Sequence, residues 1–452
     1  MVADRAPGPA GGWFFQELGK FNQDSLTYME HLAADYGDVA SVRFGPFLMY
    51  YFNHPDPIRE VFVTKAKSFD KSMNIKRAMM GINHPNLFSS DGDYWKKQRK
   101  LAQPAFHVKR ISSYADIMVM YANQMVESWQ GKTSLDIESE MANVTMNIVV
   151  KALFDVDLHS DTGDLQAAML KTFEIMDRRI QRVMPIPGWL PTEENKQLHS
   201  ANEVLQKRIG GIIEDRRASG DDHGDLLSML LLAQDEDGGM GMTNQEVYNE
   251  VLTLFAAGHE TTAGTLTWAF YLLSQHPEIA EALYEQVHRV LGDRVATLED
   301  LRALPLTEQI IKEAMRLYPP AWAITRQANE AVQIADYPLK QNNIVTVSPW
   351  TLHRHPDLWD APEEFRPSRF DENNEGDIPR YAYFPFGGGP RVCIGNSFAM
   401  MEAQLVLATV AQHYRLNLDP NQVVEPERRF TLKAKYGMTM LPEKRERVLM
   451  PV

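Results

Sequence analysis

The stretch that most limits how this chain can fold runs from Thr243 to Gln275. Thr243-Asn-Gln-Glu246 has the form of a capping box, in which side chains at both ends of the first turn satisfy its free amides. From there the apolar pattern continues unbroken until His276-Pro277 stops it. Some 32 residues at about 1.5 Å each make a helix of about 48 Å, enough to cross the whole molecule. Everything else must pack around it. Its middle, Ala256-Ala-Gly-His-Glu-Thr-Thr-Ala-Gly264, places glycine, a carboxylate and two β-branched alcohols where alanine or leucine would serve a helix better. Such a local violation suggests a functional site.

The second informative stretch is Phe386-Gly-Gly-Gly-Pro-Arg-Val-Cys-Ile-Gly395, which holds the one cysteine of 452 residues. A lone cysteine forms no intramolecular disulfide and builds no multi-cysteine zinc or iron–sulfur site. A buried inert thiol, a nucleophile and a single axial ligand remain. The glycines let the backbone approach a flat ligand closely, Pro390 fixes the turn, and Arg391 puts a cation two residues before the sulfur. The helical run Asn396 to His413 follows, and its free amides and positive end favour a thiolate. A phosphate cradle is a poor reading of the three glycines, because no Lys-Ser/Thr follows them.

The pattern F-x-x-G-x-R-x-C-x-G, met by Phe386, Gly389, Arg391, Cys393 and Gly395, resembles the haem-binding signature of the cytochrome P-450 superfamily of haem-thiolate monooxygenases. The resemblance implies a mainly α fold with a small β part, a long central helix across the haem, and one compact haem domain over residues 1–452. It implies haem b held by the Cys393 thiolate, which pushes electron density onto iron and favours O–O cleavage. Ala257 to Thr262 matches the family's A/G-G-x-D/E-T-T/S motif, which gives Glu260 and Thr261 the passage of protons to bound dioxygen. Trp95 and Arg99 stand at i and i+4 on one helical face and match a pair that holds a haem propionate. Arg326 is expected as a second propionate partner, with Phe386 and Arg391 also beside the haem. Glu313 and Arg316 at i and i+3 would alone suggest a surface ion pair of little energy. With Arg369 they match the family's buried E-x-x-R cluster, which locks the core and does no chemistry.

The expected substrate pocket draws Met79, Met80, Leu87 and Phe88 from an irregular segment between Lys71 and Gly92, and Phe173 and Met176 from a helix over 164–182. Leu254, Ala257, Trp322, Ile324 and Phe430 complete it. Almost no fixed charge appears among them, so the pocket should select by shape and apolar area, at about 0.8 kcal/mol per buried CH₂. The expected reaction is hydroxylation of a lipophile, whether a fatty acid, a terpenoid or a steroid-like molecule. The turn at Gly45 to Tyr50 lacks the arginine that one bacterial fatty-acid hydroxylase type uses for the carboxylate, leaving Arg43 or Arg179 as substitutes. Met184-Pro-Ile-Pro-Gly-Trp-Leu-Pro191 reads as an apolar lid-like loop or a plain helix connection.

The 60 acidic residues outnumber the 46 basic ones, and a net charge of −14 argues against nucleic acid as a partner. No apolar run near the N-terminus suits a signal peptide or membrane anchor, so a cytoplasmic location is expected. Electrons should come from a ferredoxin or flavodoxin with its reductase, or from a fused reductase outside this chain. The basic cluster Lys96, Lys97 and Lys100 is the expected docking point. A peroxide-driven enzyme and a non-catalytic haem-thiolate sensor are the alternatives, and the Glu260–Thr261 relay speaks against both. The remaining expectations are a helix over 13–36, a strand pair over 39–52, and helices over 112–157 and 307–317.

Overall fold

The capping box forms. Thr243 Oγ1 accepts from Glu246 N at 3.2 Å, and the Glu246 carboxylate accepts from Thr243 N at 2.8 Å. The helix then runs Asn244–Gln275, as its sequence predicts. The structure is a computed structural model that describes residues 5–10, 16–79, 82, 84–155, 163–181, 186–233 and 241–445. Helices make up 59% of it and strands 12%, in one compact body, so the mainly α expectation holds. Among the described residues, no helix is long and apolar enough to cross a membrane.

The main hydrophobic cluster joins the central helix to helices Ala115–Ser128, Ile137–Phe154, Pro305–Leu317 and Asn396–His413. Its tightest neighbour is Ile137–Phe154, where a Cβ added at Gly258 would stand 3.1 Å from Val149 Cγ2. Thr145 Oγ1 on the same neighbour donates to the His259 carbonyl at 3.1 Å. The motif glycine therefore serves helix packing. A second cluster lies under a five-stranded sheet in the order Val39–Phe44, Phe47–Phe52, Ile344–Val347, Ile324–Ala328 and Phe69–Asp70. Its first two strands form the predicted pair, with Val39 opposite Phe52.

Three expectations about elements change. The helix over 13–36 is two helices, Gln16–Gln23 and Ser25–Tyr36, because Asp24 accepts from Thr27 N and starts a new one. The 112–157 helix breaks at a turn through Gly131 (φ +80°) and a short strand, Leu135–Asp136, before Asp136 caps Ile137–Phe154. The segment after Lys71 is not wholly irregular, since Met73–Met79 is helical.

Glu313 and Arg316 are fully buried, and Arg316 spends all five N–H groups. Nε and Nη2 grip Glu313 at 2.7 and 2.8 Å, while the rest reach the carbonyls of His353, Pro362 and Glu364. Arg369 Nε adds a bond to Glu313 at 3.3 Å. A desolvated guanidinium is tolerable only when so completely paired. The cluster also leads to the cysteine loop: His353 Nε2 accepts from Phe384 N, Gly387 N donates to Phe384 O, and Cys393 N donates to Phe386 O. Burial, with the Arg316 charge second, lowers the His353 imidazole to about 3, which keeps it neutral and able to accept. Glu313→Ala strands the Arg316 cation in this interior and should cost about 3–5 kcal/mol. Thermal or denaturant unfolding measures it, and a loss below about 1 kcal/mol would show that the cluster is solvated.

Candidate active site

Cys393 sits where the loop from Phe386 meets the N-terminus of the Asn396–His413 helix. Its glycines answer to protein on the loop's far side. At Gly389 (φ +66°) a Cβ would lie 1.8 Å from the Phe62 carbonyl oxygen, and at Gly388 it would lie 2.7 Å from the Tyr381 ring. The loop is thus pressed against the helical turn Glu60–Thr64 and held there by backbone contact. The sulfur is accessible, although the protein surrounds it closely enough for burial to push its thiol up. Both hold if it opens onto an interior space. The Gly395 N–H and the Arg99 charge act against the rise without reversing it. A coordinated metal ion would deprotonate this thiol outright.

Beside this space lies a cationic wall. Arg326 is buried and Lys71 half-buried, and desolvation together with their neighbouring cations lowers Arg326 to about 10 and Lys71 well below the usual lysine range. Arg391 joins them, paired at 2.5 Å with Asp91, which also takes Lys76 at 2.7 Å. The Arg391 guanidinium covers the Trp95 ring at 4.2 Å, and Arg99 Nη1 donates to the Val392 carbonyl at 3.0 Å. So Trp95, Arg99, Arg326 and Arg391 converge on the cysteine loop. The donor set holds more positive charge than Asp91 can balance, and it suits a dianion such as the two propionates of haem b. Lys71 was missed by sequence reasoning. A single lysine ahead of an apolar segment carries no sign that it will turn inward, here with its ammonium 4.6 Å over the Phe88 ring.

On the central helix, Ala257 is exposed although its neighbours Phe255 and His259 are buried. Thr261 Oγ1 donates to the Ala257 carbonyl at 2.7 Å, so its lone pairs remain available as acceptors. The Glu260 carboxylate turns to Lys433 Nζ at 3.2 Å. His259 stacks on Phe255, and burial followed by the Lys433 charge lowers it to about 4. It is a neutral packing residue.

Met79, Phe173 and Met176 line one apolar cavity with Met169, Leu252 and Ala256. Leu254 does not. Leu254 stands three and seven residues before Ala257 and Thr261, on their face of the central helix, and packs in the main hydrophobic cluster. Trp322 packs outward with Leu26 and Trp350 and donates to the Arg429 carbonyl, while Ile324 lies beside Gly387. Phe430 meets Phe88 edge to face at 5.8 Å. Met80, and Met184 and Pro185 of the lid-like loop, lie outside the described residues. Arg179 is engaged by Glu194 and Asn195, and Arg43 is exposed on its strand, so neither is placed to anchor a carboxylate in this cavity. Leu87 is held from the central helix by a residue the sequence did not flag: Glu250 Oε2 accepts its N–H at 3.0 Å.

An accessible thiol in a fixed loop, a cationic wall beside it and an alcohol on a long helix define a haem-thiolate protein. The chain belongs to the cytochrome P450 family, whose sequence profile matches residues 6–449. It is 35% identical to cyclooctatin synthase of Streptomyces melanosporofaciens over 93% of this chain and 91% of that one. It is 33% identical to cyclooctat-9-en-7-ol 5-monooxygenase of the same organism, over 87% and 86%. Pentalenene oxygenase of Streptomyces avermitilis shares 33%, over 94% of each chain. The protein is an enzyme, a monooxygenase that uses haem b, dioxygen, a lipophilic substrate and a redox partner.

Glu250 gives a pH test. Burial pushes its carboxyl from 4.5 up to about 8, and the Glu246 charge adds to the rise. Between those values the folded chain binds this proton better than the unfolded chain, so stability is lost as pH rises through the window. Glu250→Gln keeps a carbonyl for Leu87 N–H and removes the titration. It should gain on the order of 5 kcal/mol relative to the parent between pH 4.5 and 8, read from unfolding curves. An identical slope in both proteins would show that Glu250 is solvated.

Proposed function

We propose that this enzyme hydroxylates an uncharged terpenoid-sized lipophile. The observation that carries this is the lining of the cavity, where apolar side chains are joined by one polar group, Thr172, whose hydroxyl is already spent on the Ala168 carbonyl. Among the described residues, no cation lines it that would hold a carboxylate. The names of the relatives point the same way, since one acts on cyclooctat-9-en-7-ol, an alcohol, and another is named for the hydrocarbon pentalenene. A fatty acid is thereby disfavoured against the neutral members of the expected class.

Haem b, held by Cys393 with Lys71, Trp95, Arg99, Arg326 and Arg391 around its propionates, supplies the activation of dioxygen. The protein supplies the rest. Met79, Phe173 and Met176 bury the substrate and exclude water. Thr261, with its own hydrogen committed to Ala257, accepts a hydrogen bond from the cavity side and orients the group that donates it. Glu260 brings protons from the solvent side of the same helix. Residues 1–452 act as one haem domain in the cytoplasm. An acidic ferredoxin or flavodoxin docks at Lys96, Lys97 and Lys100, on the helix Gly92–Ala102 whose Arg99 touches the cysteine loop.

Two measurements test this. Thr261→Ala should bind haem and substrate normally, while product formed per reduced nicotinamide consumed falls about tenfold and hydrogen peroxide rises to match. An unchanged ratio would place the proton path elsewhere. In a titration of haem spin state, cyclic terpene hydrocarbons and alcohols should bind more tightly than fatty acids of equal carbon number. A series in which affinity vanishes with the carboxylate would overturn the neutral-substrate reading.

A further inference from the structure

A row of three rings leads from the apolar cavity to the middle of the central helix. Phe173 lines the cavity and stacks on Phe255, with centroids 5.7 Å apart and planes 13° from parallel. Phe255 stacks in turn on His259, one helical turn further along, at 5.7 Å and 17°. Near-parallel rings at that spacing are offset from one another, an arrangement that aromatic pairs prefer. Phe255 is fully buried, behind the wall to which Leu252 and Ala256 contribute.

The two ends of the row differ. At the His259 end the helix packs against Ile137–Phe154, with Gly258 close to Val149 and the His259 carbonyl accepting from Thr145 Oγ1. The backbone there is fixed. At the other end Phe173 is half-buried on Gly163–Gln181, between Phe255 and the cavity. His259 is also a costly choice for its place, because its Nδ1 is buried without a hydrogen-bond partner among the described residues. A leucine would fill that space without the loss. What leucine lacks is a flat ring to lie on Phe255.

We propose that Phe255 and His259 are positioning residues for substrate size: they hold the Phe173 ring as a fixed wall of the cavity without touching the substrate themselves. This rests on the reading of that cavity as the substrate pocket. A rigid cyclic lipophile cannot bend around a fixed ring, so its width decides whether it enters. With Phe255 shortened, the Phe173 ring can retreat into the space behind it, and wider molecules then fit.

The test uses the haem-loaded enzyme and three sizes of probe, cyclic mono-, sesqui- and diterpene hydrocarbons, each titrated by haem spin shift. Phe255→Leu should leave the carbon monoxide spectrum intact and move the ratio of affinities severalfold toward the largest probe. Phe255→Met serves if Phe255→Leu folds poorly. His259→Leu should move the ratio the same way but less, and His259→Phe, which keeps a ring on Phe255, should restore the parent's ratio. In a Phe173→Leu background Phe255→Leu should add nothing, because the ring it positions is gone. An equal effect in that background would mean that Phe255 acts by general loosening, and the inference fails. It fails also if Phe173→Leu shifts the ratio while Phe255→Leu and His259→Leu do not, and the pocket reading then stands. A Phe173→Leu enzyme with the parent's ratio removes the pocket reading beneath it.

Discussion

The desolvated Arg316 guanidinium is the constraint on which the rest of the structure depends. Taking such a group out of water costs several kcal/mol, recovered only when every N–H has a partner. Those partners are Glu313 and three carbonyls between His353 and Glu364, so one side chain fixes a loop that would otherwise have many conformations. The fixation passes through neutral His353 to Phe384, and through Gly387 and Phe386 to Cys393. The position of the thiol is therefore set by an interaction that does no chemistry.

The two charge clusters of the molecule obey opposite rules. Around Arg316 every guanidinium N–H has a partner, and Glu313 is shared with Arg369. Around Arg326 and Lys71 the cations lower one another, and Asp91 is shared between Arg391 and Lys76. Incomplete neutralisation of that kind is unfavourable for the protein alone and favourable for binding a dianion. Placing that imbalance next to an accessible sulfur suits one cofactor that carries both a metal ion and two carboxylates.

Local signals in the sequence survived into the structure. The Thr243 capping box, the Asn396–His413 helix and the strand pair around Gly45-Pro46 each depend on residues a few positions apart, and each forms where expected. Signals that depend on distant partners did not. The turn at Gly131 interrupts a stretch whose composition is otherwise helical, and Asp24 splits another. Lys433, Lys71 and Glu250 look like surface residues until the fold brings Glu260, Arg326 and Leu87 to them. The glycines of the cysteine loop were legible as necessary, but their reason, the backbone of Phe62 and the ring of Tyr381, was not.

Met79, Phe173 and Met176 come from the helices Met73–Met79 and Gly163–Gln181, and none of them takes part in the hydrogen bonds that run from Arg316 to Cys393. Chassis and lining are mechanically separate. An engineer can therefore resize the lining at these three positions without loosening the sulfur, and the effect of each exchange should appear in which carbon is oxidised before it appears in how well the protein folds.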